Sequence, residues 1–122
     1  MLVLPIKKKW FDMILYGEKK EEYREIKPYY EKRFNNILRN NPRAFDSKGT
    51  LNEWLITDIK YILTVRFRNG YSSGSPSFVA NCRLTIGTGR SEWGAEPGKR
   101  YYILTIQDII KEIKEQKHET TQ

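Results

Sequence analysis

Two stretches of strict alternation constrain this chain more than any other feature. From Tyr61 to Arg68, Tyr61, Leu63, Val65 and Phe67 alternate with Ile62, Thr64, Arg66 and Arg68. From Phe78 to Ile86, Phe78, Ala80, Cys82, Leu84 and Ile86 alternate with Val79, Asn81, Arg83 and Thr85. A period of two sends successive side chains to opposite faces, so each stretch reads as a β-strand with one buried face. Between them, Asn69 to Ser77 is rich in Gly, Ser and Pro and reads as a flexible turn, long enough to lie over a site. If the strands pair, Arg66, Arg68 and Arg83 share the outer face with Thr64 and Asn81. Planar guanidinium donors there suit phosphates or base edges.

The other segments supply partners for that sheet. Leu2 to Ile6 reads as a short buried strand, and Arg100 to Ile106 as a central strand apolar on both sides. Lys7 to Tyr16 switches to helical spacing through Trp10, Phe11, Met13 and Ile14. Pro28 suits the first turn of a second helix, in which Tyr30, Phe34, Ile37 and Leu38 form one apolar stripe. Ile109, Ile110 and Ile113 suggest a C-terminal helix, supported by Lys111 and Glu115 four residues apart. Leu51 to Ile56 has no clear period; Trp54 is placed as a plug at one end of the core. The expected class is α+β, a small partly closed β-barrel of about five strands with two or three flanking helices. Residues 1–116 form the single expected domain and 117–122 a flexible tail.

Composition removes several function classes. One cysteine, Cys82, excludes an internal disulfide and Cys-rich metal sites, and it reads as a small core residue. The single histidine, His118, has no ligand partner nearby, so neither a metal nor a cofactor is expected. The glycines form neither G-x-G-x-x-G nor a Walker loop. No apolar run is long enough for a membrane span or a secretory leader, which points to the cytoplasm. The net charge of +7 favours polyanionic partners. Residues 1–61 carry 13 basic and 9 acidic side chains, 62–107 carry 6 and 2, and 108–122 carry 3 and 4. The positive excess is thus densest in the strand-rich part. Lys7, Lys8 and Lys9 open the first helix against its dipole, as phosphate contacts or a solvated start.

The stretch Gly17-Glu-Lys-Lys-Glu-Glu-Tyr-Arg24 is the candidate site. Gly17 closes the first helix, and on the strand that follows Glu22 and Arg24 share one face while Tyr23 takes the other. Parity puts Lys19 on the wrong side of a regular strand unless the turn redirects it; Lys20 has the matching parity. The spacing Gly17, Lys19, Glu22, Arg24, or G-x-K-x-x-E-x-R, resembles the signature of the ASCH domain, a small β-barrel module related to the PUA RNA-binding fold. Four such matches arise by chance about once in a thousand chains of this length, given roughly 5–7% usage per residue type. Leu4-Pro5-Ile6, Asp12, Ile14, Trp93-Gly94, Pro97-Gly98 and Tyr101-Tyr102-Ile103-Leu104 also look like this family, whereas residues 42–77 show no match.

The resemblance implies a PUA-like barrel and two classes of function. In one, the module binds RNA or a nucleotide-like ligand: Lys19 or Lys20 and Arg24 contact anions, Glu22 orients Arg24 and accepts from a base amino group, and Tyr23 borders the cleft; by their own place in loops beside the paired strands, Tyr71 and Trp93 offer rings on which unpaired bases stack. In the other it is a small hydrolase. Some ASCH proteins deacylate N4-acetylcytidine with the motif lysine, a threonine two residues before the motif arginine and a separate glutamate; ribonuclease activity occurs in some relatives. Lys19 matches that lysine, and would be catalytic with Glu22. Glu22 itself stands at the threonine position, and Glu92 and Glu96 are candidates for the distant glutamate by composition. A third class is a protein-interaction module, its partner unknown.

Overall fold

The computed structural model of the chain describes residues 1–110. In chain order the elements are β1 (Leu2–Pro5), α1 (Lys8–Leu15), β2 (Glu21–Glu25), α2 (Pro28–Leu38), α3 (Glu53–Ile59), β3 (Ile62–Arg68), β4 (Ser77–Thr88) and β5 (Arg100–Ile110), with short 3₁₀ turns at Pro42–Ala44 and Ser91–Trp93. The five strands form one curled, half-barrel sheet in the order β1-β3-β4-β5-β2. β1 runs parallel to β3 and every other pair is antiparallel. The class is α+β, as expected.

Alternation sets the core. Leu63, Val65 and Phe67 of β3 and Phe78, Ala80, Cys82 and Leu84 of β4 face inward and are buried. The α2 stripe covers them through Phe34 and Leu38, both fully buried, and α1 adds Phe11 and Ile14. Phe34 meets the Tyr102 ring at 4.6 Å between centroids. Each such burial contributes roughly 1.5–3 kcal/mol. Burial pushes the Cys82 thiol up to about 12, so it is packing rather than chemistry. Val79, expected outward, is buried on the outer face, where it pairs with Ile110.

Two expectations are overturned. Ile109 and Ile110 do not start a helix: β5 runs on to Ile110, with Asp108 opposite Asn81, Ile109 opposite Ala80 and Ile110 opposite Val79. A register shift between Asn81 and Cys82 brings Ile109 against the core, and the 12-residue β4 supplies ladder partners that a helix would leave unpaired. Ile113, the Lys111 and Glu115 pair, His118 and the 117–122 tail lie outside the described residues. Trp54 is no plug, being 79% exposed on α3, whereas Ile56 is fully buried. Two residues along a helix turn about 200°, so the two cannot face the same way. The Asn52 side chain caps α3 by accepting from the backbone N–H of Trp54 and Leu55.

Because β1 and β2 are the two edges of the sheet, the half-barrel needs a closure between them. Arg24 of β2 supplies one, donating through Nη2 to the Pro5 carbonyl of β1 at 2.9 Å and through Nη1 to the Tyr30 hydroxyl of α2 at 3.1 Å. Among the described residues no helix is long and apolar enough to cross a membrane.

Candidate functional site

Local chain chemistry puts Lys19 where strand parity would not. α1 closes in a Schellman arrangement: Gly17 N–H donates to the Ile14 carbonyl at 3.1 Å, and Glu18 N–H to the Met13 carbonyl at 2.8 Å. Gly17 takes φ +85°, a conformation open to glycine at little cost. Lys19 N–H also donates to Met13, at 3.0 Å, so this residue belongs to the turn and its side chain folds inward before β2 begins at Glu21. Lys20 stays exposed, with its ammonium on the Gly17 carbonyl at 3.1 Å. The inward cation is Lys19.

Lys19, Glu22 and Arg24 converge. Glu22 Oε1 lies 3.3 Å from Lys19 Nζ, and Glu22 Oε2 lies 2.6 Å from Arg24 Nη2. Side-chain exposure is 1% for Lys19, 8% for Glu22 and 12% for Arg24, so one carboxylate serves two cations out of water. The Lys19 ammonium also donates to the Trp93 carbonyl and sits 4.6 Å from the Trp10 ring centre and 4.9 Å from that of Tyr23. Burial lowers the Lys19 pKa, against the pull of Glu22. Burial also opposes the Arg24 charge, but Glu22 and Tyr30 outweigh it and its pKa is raised.

Glu22 lines two hollows, which share Lys7, Trp10 and Glu22 as a common wall; Arg24 lines the first of them, and Lys19 lies behind the wall. The first, about 560 Å³, is completed by Pro5, Ile6, Arg24, Tyr30, Asn69, Gly70 and Tyr71. The second, about 390 Å³, is completed by Tyr23, Glu25, Trp93, Gly94, Glu96, Lys99 and Tyr101. Gly94, at φ +101°, lies so close to the Trp10 ring that an added Cβ would stand 3.1 Å from it. The aromatic faces carry cations: Lys9 lies 4.6 Å from Trp10, Arg90 4.8 Å from Trp93 and Lys99 5.6 Å from Tyr101. With the exposed Lys7, these side chains put positive charge around the rim.

Of the residues singled out in the sequence, Glu22, Tyr23, Arg24 and Trp93 line these hollows, and Lys19 lies behind them, held by Glu22 and the Trp93 carbonyl. Tyr71 joins them, 91% exposed on the turn after β3. Arg66, Arg68 and Arg83 do not. They share the outer face with Thr64 and Asn81, as their register requires, whereas Glu22 and Arg24 stand opposite Leu104 and Tyr102 on the inner face. Glu96 lines the second hollow, and the exposed Glu92 pairs with Arg90 at 2.8 Å instead. Sequence reasoning missed Trp10, Tyr30, Asn69 and the Pro5 carbonyl. Trp10 carried a signal, an aromatic following three lysines; a backbone carbonyl carries none. Comparison with protein-family models, curated proteins and solved structures finds no match for this chain.

Proposed function

We propose that this protein binds RNA or a nucleotide-like ligand in the paired hollows, as an ASCH-type module with PUA-like architecture. The observation that carries the reading is the layering of the site. An acceptor carboxylate, Glu22, lies on the shared wall, aromatic side chains stand around it, and cations ring the mouth. A nucleotide has the complementary order: N–H donors on the base edge, a flat apolar face and outer phosphates. A carboxylate that merely closed the barrel would be sealed by packing, whereas Glu22, though buried, lines open space on both sides and Arg24 lines it on one. Lys7, at the head of α1, reaches both hollows and is the natural first phosphate contact. The outer-face arginines add to the positive field that attracts a polyanion.

The expected result is single-stranded RNA affinity that falls by roughly 0.7 log units per log unit of salt for each phosphate neutralised. Fluorescence titration of the full chain at several salt concentrations reads that slope, and a flat salt response contradicts the reading.

One observation favours a second reading, a small hydrolase acting on modified nucleosides of the N4-acetylcytidine type. Lys19 is a buried amine of lowered pKa beside a carboxylate, the setting of an amine that acts as base or nucleophile. That reading requires acetate release from N4-acetylcytidine that is lost in Lys19→Ala. No release at high enzyme concentration removes it.

A further inference from the structure

Resting on the binding reading above, we infer that the site selects bases whose edge offers two adjacent N–H donors, guanine among the four common ones, and rejects uracil. Glu22 is the buried acceptor that both hollows share. Its two oxygens are engaged separately: Lys19 approaches Oε1 at 3.3 Å and Arg24 approaches Oε2 at 2.6 Å. Each carboxylate oxygen can accept about two hydrogen bonds, so each has the capacity for one acceptor position beyond the cation it holds. The two cations fix the plane of the carboxylate, and a ligand must fit it as presented.

Guanine places N1–H and N2–H next to each other and satisfies both positions. Cytosine and adenine offer one amino group beside a bare ring nitrogen, whose lone pair faces the second oxygen. Uracil offers a single N–H between two carbonyls, so oxygen meets oxygen on either side. A site built around a hydrogen bond rejects the ligand that leaves its buried polar group unpaired.

The test titrates the full chain with the 5′-monophosphates of guanosine, inosine, adenosine, cytidine and uridine, read by tryptophan fluorescence. All five carry the same phosphate, so the electrostatic contribution is common to them. The expected order puts GMP tightest and UMP weakest, separated by roughly 5- to 150-fold. Inosine monophosphate keeps N1–H but lacks the 2-amino group, and is expected to lose part of the GMP advantage. Equal affinity for GMP and UMP overturns the selectivity and leaves nucleotide binding intact, as does AMP or CMP binding tighter than GMP. If no monophosphate binds at millimolar concentration, the nucleotide reading itself fails, and this inference with it.

Discussion

Glu22→Ala destabilises the fold by about 3–5 kcal/mol, the cost of leaving buried charges without their counter-ion. The substitution removes the one carboxylate placed between Lys19 and Arg24, whose side chains are 1% and 12% exposed. Two cations then face each other out of water. The Trp93 carbonyl and the Pro5 carbonyl give them dipoles but no compensating charge. Domains of this kind have total stabilities of about 5–15 kcal/mol, so the loss is a large share of the whole. Urea unfolding followed by circular dichroism measures it. A companion substitution separates charge from packing: Lys19→Met added to Glu22→Gln removes one orphaned cation and is expected to regain stability relative to Glu22→Gln alone. That sign of coupling follows from contact between the two groups. A loss below about 1 kcal/mol for Glu22→Ala, the range of exposed ion pairs, means that water reaches the trio and contradicts its burial.

Tyr71→Ala leaves stability unchanged and weakens single-stranded RNA binding by about 1–3 kcal/mol, the worth of one base stacked on an aromatic ring. The residue is 91% exposed on the turn that follows β3, yet it lines the larger hollow beside Asn69 and Gly70. An aromatic ring that wet supports no core, so its substitution reads binding alone. Trp54→Ala is the control, because Trp54 is 79% exposed on α3 and lines neither hollow. Paired affinity measurements at one salt concentration decide the matter. Equal weakening by both substitutions, or none by Tyr71→Ala, argues against a base at this wall.

What could be read from the chain divides along a physical line. Periods and stop signals are local, and they located β3 and β4, the Pro28 start of α2 and the Gly17 end of α1. Short apolar pairs are compatible with both periods. Ile109 and Ile110 therefore suit a helix as well as a strand, and only the ladder with β4 decides for the strand. α3 has seven residues and one buried side chain, too few for a periodic signal, although Asn52 marks its start. The motif's composition was legible, but its geometry depended on a Schellman turn that a strand parity argument does not contain. The role of Arg24 as a tie between β1 and β2 depended on which strands end as sheet edges, a property of topology alone.

The function rests on the hollows walled by Glu22 and Arg24 receiving a nucleotide. Amide and indole NMR of the ¹⁵N-labelled chain, titrated with a short single-stranded RNA, tests this directly. A nucleotide in the hollows shifts the Trp10 and Trp93 indoles and the Asn69, Gly70, Tyr71 and Gly94 amides, and leaves the Trp54 indole unmoved. Shifts centred on Trp54 or on the outer arginine face, with the hollow residues silent, contradict it.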